Sequence, residues 1–170
     1  MATPGVGLSG TTQSSITNLV EQKLRAERVV KAGASWFLTV GALSLINSIL
    51  SMSGAGIRFI FGLGIAQFVD AFANQAGQAA LVPSLIINAC FAGVFVFFWN
   101  FARKGAQWAF LIGMAFYVVD ALAMLALKDI LAVAFHGYAL WRIYRGFSGI
   151  TSLKQLEAQL QPAGAPIQPR

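Results

Sequence analysis

Charge is what this chain most lacks. Asp, Glu, Lys and Arg together make up 11% of its 170 residues, less than half the ~25% usual for a water-soluble domain. That scarcity excludes a soluble enzyme domain, and it excludes a disordered chain, which stays unfolded by being polar and charged. Cysteine is nearly missing as well. A lone Cys90 leaves no internal disulfide and no Cys-based metal site, so a stapled secreted module is excluded, and Cys90 reads as a small buried hydrophobe. One histidine, His136, cannot build a His-based zinc site, and no Glu falls within an apolar stretch to help it. No Gly-x-Ser-x-Gly nucleophile elbow occurs. Catalytic, metal-binding and cofactor-binding residues are therefore assigned to none of the positions.

What is abundant is apolar surface. Hydrophobic residues reach 57% and the mean hydropathy is +0.68. No Asp, Glu, Lys or Arg lies between Lys31 and Arg58, nor between Asp70 and Arg103. Such runs read as membrane spans, because about 20 apolar residues cross a hydrocarbon core of ~30 Å. They are too long for barrel strands and do not alternate, so helices are the form expected. The pI near 10.0 comes from small basic clusters beside these spans. Anchoring at anionic headgroups explains them better than nucleic acid, which is not expected as a partner.

The predicted organisation is an all-α transmembrane helical bundle of four long spans plus a shorter fifth, preceded by an amphipathic surface helix. Residues 1–14 read as a flexible leader. The letters Gly5-Val6-Gly7-Leu8-Ser9-Gly10 match a dinucleotide loop by chance, with no strand before them. Residues 15–31 predict a juxtamembrane helix capped by Ser14 or Ser15, with Ile16, Leu19, Val20 and Leu24 on one face. The membrane domain covers 32–147, with spans at 32–52, 57–74, 83–102, 106–127 and 130–147. Arg142 and Arg145 make the last span weak, so it either lets them snorkel or dips in and returns. The tail 148–170 is expected to be mostly disordered. Val69-Asp70-Ala71-Phe72-Ala73 and Val119-Asp120-Ala121-Leu122-Ala123 share four letters of five at a spacing of 50. That suggests a parallel duplication of two-helix units, although spans one and three align poorly at the same offset.

The candidate site is the set of polar groups that lipid would penalise. Asp70 and Asp120 lie within spans, and an intramembrane carboxylate must face protein or water. With Lys128-Asp129 as a hairpin tip, Asp120 lies eight residues before Lys128 and His136 eight after it. Both then sit roughly 12 Å deep, facing each other. Tyr117 shares the face of Asp120, and Asn74 lies one turn from Asp70. Asp70, Asp120, His136, Tyr117 and Asn74 thus form the expected intramembrane cluster. Asn47, Asn88 and Asn100 are further amides in the spans, and small residues four apart, such as Ser44 with Ser48, permit close helix contact.

The stretch from Tyr117-Val118-Val119-Asp120 through Phe135-His136 and Ala139-Leu140-Trp141 to Arg145-Gly146 resembles small multi-pass bacterial membrane proteins. The resemblance implies a bacterial inner membrane and no activity. The function expected is a non-enzymatic scaffold, interaction or lipid-associated component, with the bilayer and other membrane proteins or its own copies as partners. The alternatives are a small transporter or proton-coupled component using Asp70, Asp120 and His136, and an intramembrane aspartyl hydrolase using both aspartates. The hydrolase motifs YD and GxGD are missing. Orientation stays open. Five crossings divide the basic residues five against six, whereas a re-entrant 130–147 divides them eight against three.

Overall fold

The computed structural model describes residues 7–53 and 64–161, and every regular element among them is a helix. Three are long and apolar enough to cross a membrane, at Gln13–Leu50, Val82–Ala102 and Gln107–Ala126.

The first helix, α1 (Gly7–Met52), runs 46 residues without a break. It contains no proline, and the pairs Lys23–Glu27 and Glu27–Lys31 lie one turn apart along its polar half. At 1.5 Å per residue it is about 69 Å long, more than twice a hydrocarbon core. The short α2 (Gly64–Ala76) and a 3₁₀ turn (Gln78–Ala80) precede α3 (Leu81–Ala102). Pro83 falls in the first turn of α3, where a missing N–H breaks no bond. The helix α4 (Gln107–Ala126) and α5 (Ile130–Leu160) form a hairpin.

Both hairpin connections close by the same chemistry. After α3, Ala106 N–H reaches the Phe101 carbonyl and Gly105 N–H the Ala102 carbonyl, with Gly105 at φ +81°. After α4, Asp129 N–H reaches Met124 and Lys128 N–H reaches Leu125. These are Schellman closures, which need one left-handed residue. At the second that residue is Lys128, with φ 60°. Asp129 then accepts from Ala132 N–H at 3.0 Å and starts α5.

Contacts between helices set the topology. Lys23 pairs with Glu157 at 3.5 Å, Gly33 meets Gly146, and Trp36 packs edge-on against Tyr138, so α1 and α5 are antiparallel. Phe37 against Phe98 and Ser48 against Asn88 make α1 and α3 antiparallel too. The ring α1–α3–α4–α5 therefore alternates in direction. Its centre is aromatic, with Phe37 at 6.2 Å from Phe95, 6.1 Å from Phe98 and 5.9 Å from Phe110. Because α1 and α3 are antiparallel, α1 ends and α3 begins at the same end of the bundle. The chain between them starts and finishes there.

This arrangement corrects several expectations. The described part of the segment 57–74 lies in α2, a 13-residue helix of about 20 Å, too short by itself to cross, which meets α3 through Asp70 and Asn88; residues 54–63 lie outside the described residues. Length and hydropathy indicated a span, but they carry no information on direction. Residues 7–14, expected as a flexible leader, belong to α1, as do 15–31, which continue into the first apolar stretch instead of forming a separate surface helix. The fifth segment is not short and does not dip and return. At 31 residues α5 extends through Leu160, so the tail is helical to that point. A parallel duplication would give α1 and α3 the same direction, and they have opposite ones.

The outer surface differs from that of a soluble domain. Val119 is 67% exposed, Phe72 75% and Ile130 70%, whereas Asn88 and His136 are fully buried. Apolar side chains cover the outside and polar ones converge within, which suits a hydrocarbon surround.

Candidate functional site

Asp120 accepts three hydrogen-bond contacts in the interior. It projects from α4 toward the start of α2, where helix geometry leaves the first amides without partners. Gly64 N–H donates to its Oδ2 at 2.7 Å and Ile65 N–H to its Oδ1 at 2.8 Å. The carboxylate thus caps α2 from another helix, at the end where the helix dipole favours negative charge. Gly64 contributes closeness as well, since a Cβ there would meet the Met124 side chain.

His136 approaches the same carboxylate from α5, with Nε2 at 2.8 Å from Asp120 Oδ2. Its Nδ1 lies 2.7 Å from the Ala132 carbonyl, an acceptor only, so Nδ1 must carry a proton. Nε2 then faces a carboxylate oxygen, and one further proton must lie between them. With two backbone amides donating to the carboxyl, every polar atom of the two side chains has a partner. Tyr117 stacks on the imidazole, centroids 4.5 Å apart and planes at 18°. Its buried hydroxyl has no hydrogen-bond partner among the described residues.

Asp70 sits in a second cluster, toward the end of the bundle where α1 finishes. Asn88 on α3 donates through Nδ2 to Asp70 Oδ1 at 2.7 Å and to Ser48 Oγ of α1 at 2.8 Å. Both acceptors face Nδ2, which determines the amide's orientation. Asp70 Oδ2, Asn88 Oδ1 and Ser44 Oγ are buried without hydrogen-bond partners among the described residues.

The expected cluster therefore divides. Asp120, His136 and Tyr117 come together, while Asp70 joins Asn88 and Ser48. The side chain of Asn74 lies outside the described residues. Asp120 caps residues 64 and 65, and Asp70 is five residues further along α2, about 8 Å at helical rise. The two carboxyls bond to different partners on different helices, whereas an aspartyl hydrolase needs them close enough to share a proton. Sequence reasoning missed the amides of Gly64 and Ile65, because no residue type announces where a helix begins inside a bundle. It noted Asn88 and Ser48 only as an intramembrane amide and a small residue, and the Asn88 amide within an uncharged run was the available signal. Among the described residues no group of three His, Cys, Asp or Glu side chains could hold a metal ion.

Compared with known protein families, characterised proteins and solved structures, the chain has no match.

Proposed function

We propose that this is a non-enzymatic multi-pass protein of the bacterial inner membrane, in which α1, α3, α4 and α5 cross and α2 is a re-entrant half-helix held by Asp120. It acts through its helix surfaces on lipids or on other membrane proteins. The observation that carries this reading is the bonding of Asp120. Its acceptors are taken by two backbone amides and an imidazole. The network ends on the Ala132 carbonyl. A carboxylate engaged in this way fastens three helices and offers no chain of donors toward either face, which favours a structural role over a proton relay.

Charge supports one orientation. Among the described residues Lys23, Arg25, Arg28, Lys31, Arg103, Lys104, Arg142, Arg145 and Lys154 belong to the half of the bundle where α1 begins, and Lys128 alone to the other. A division of nine against one favours an α1 start on the cytoplasmic side by the positive-inside rule. Arg142 and Arg145 fit this scheme because each lies over an indole, Arg142 over Trp36 at 5.7 Å and Arg145 over Trp141 at 5.2 Å. The apolar stems stay in the bundle and the charges reach its rim.

Side-specific reporters at the N-terminus, at Gly105, at Lys128 and at the C-terminus test the reading. The first, second and fourth are expected to report cytoplasm and Lys128 the opposite side. A C-terminus opposite the N-terminus would overturn the four-crossing arrangement.

A further inference from the structure

The two buried aspartates are compensated unequally. Asp120 has an imidazole and two amides, whereas Asp70, only 6% exposed, meets neutral donors among the described residues, the Asn88 amide on Oδ1 and the Ser48 hydroxyl. The ion pairs formed among the described residues involve Glu21, Glu27, Glu157 and Asp120, never Asp70. A carboxylate removed from water without a counter-charge is strongly disfavoured. In the same contact of three helices two further oxygens are buried without a partner among the described residues, the Asn88 Oδ1 and the Ser44 Oγ. Asn88 and Ser44 are 0% and 1% exposed. These oxygens come from three different helices, and the Asn88 amide bridges Asp70 to Ser48 and so draws those helices together.

We propose that Asp70, Asn88, Ser44 and Ser48 form a binding site for one small alkali cation, of the sodium class. With Asp70 ionised, two of the unsatisfied atoms, Asp70 Oδ2 and Asn88 Oδ1, can only accept, so neither can satisfy the other. A single positive centre satisfies both at once and accepts a lone pair from the Ser44 hydroxyl. The donor set is all oxygen, which suits hard cations and not soft transition metals. One carboxylate balances one unit of charge, so a monovalent ion leaves the interior neutral. Calcium would leave an excess charge, and it takes six to eight oxygen ligands. Ser44 and Ser48 lie one turn apart on α1, Asn88 lies in the first half of α3 and Asp70 in the middle of α2. An ion here would tie the re-entrant helix to both neighbours, at the opposite side of α2 from the Asp120 clamp. The site does not depend on the membrane orientation proposed above.

The test uses the full chain, purified in detergent, and reads its thermal unfolding midpoint and the saturation of binding with sodium chloride, lithium chloride, potassium chloride or N-methylglucamine chloride at constant ionic strength. The expected result is a saturable rise of the midpoint with sodium or lithium that potassium and N-methylglucamine do not reproduce. Asp70→Asn is expected to abolish the sodium effect. Because that variant can fail to fold, Ser44→Ala serves as the second probe, since it leaves the Asn88 bonds to Asp70 and Ser48 in place. It is expected to weaken sodium binding by about tenfold or more, given that even outer partners of ion ligands are worth 10–100-fold. Equal midpoints in all four salts overturn the proposal, with a bridging water or a proton then completing the cluster. So does an undiminished sodium effect in folded Asp70→Asn or Ser44→Ala protein.

Discussion

The crossing of α1 and α5 depends on two glycines whose backbones touch, and the geometry allows the effect of a single methyl group to be worked out. A Cβ built on Gly146 would lie 2.6 Å from Gly33 Cα and 3.1 Å from Phe110 Cε1. Carbon atoms pack at about 3.5–4.0 Å, so Gly146→Ala must separate the helices by about 1 Å. The obstacle is backbone and cannot rotate away. Overpacking of this kind costs about 1–3 kcal/mol, while Ala in place of Gly within a helix returns about 0.8–1.0 kcal/mol. Gly137 provides the control on the same helix, because a Cβ there meets nothing within 4 Å. Gly137→Ala collects the propensity gain alone and is expected to stabilise by up to about 1 kcal/mol. The two substitutions are chemically identical, one on each side of the balance. Reversible unfolding of the purified variants in mixed micelles measures both. The expected order is Gly137→Ala above wild type and Gly146→Ala below it, the variants about 1–3 kcal/mol apart since overpacking is all that distinguishes them. Gly146→Ala as stable as Gly137→Ala would refute the close approach of α1 and α5.

Asp120→Ala removes three interhelical bonds, each worth about 0.6–1.7 kcal/mol in membrane helices. A loss of about 2–5 kcal/mol is therefore expected in the same unfolding assay, and unchanged stability would show that α2 is held by other contacts. Lys128→Gly relieves a left-handed conformation that costs an ordinary residue about 1–2 kcal/mol, partly offset by a more flexible unfolded chain. A net stabilisation of about 0.5–1 kcal/mol is expected, and a loss would contradict the turn geometry. Tyr117→Phe keeps the stack on His136 and deletes a buried hydroxyl without a partner, so stability should hold or rise by about 1 kcal/mol. A marked fall would mean that the hydroxyl has a partner in solution.

Some of this molecule could be read from residue order alone. The hairpin at Lys128-Asp129, with aspartate and histidine at equal offsets from its tip, sets the register between α4 and α5. The Asp120–His136 contact follows because helical rise is constant and the connection is too short to shift. The helical class follows as directly, since uncharged runs longer than a barrel strand must satisfy their own amides. Direction was not legible. The apolar segment 57–74 has the length of a span, and only the antiparallel packing of α1 on α3 shows that the chain returns to the end it left. The arginines of α5 likewise look costly in the sequence until Trp36 and Trp141 are seen beneath them.

Local pattern determines which segments are helical, roughly how long they run and which polar residues they carry, because those properties depend on neighbours within a turn or two. The partners of those polar residues belong to the tertiary structure. Asp70 and Asp120 stand in nearly identical sequence surroundings, yet one meets two amides and an imidazole and the other meets Asn88 and a set of unsatisfied oxygens. The packing of the helices around each carboxylate made that difference, because inside a bundle a charge is stabilised only by what other helices bring within hydrogen-bonding reach.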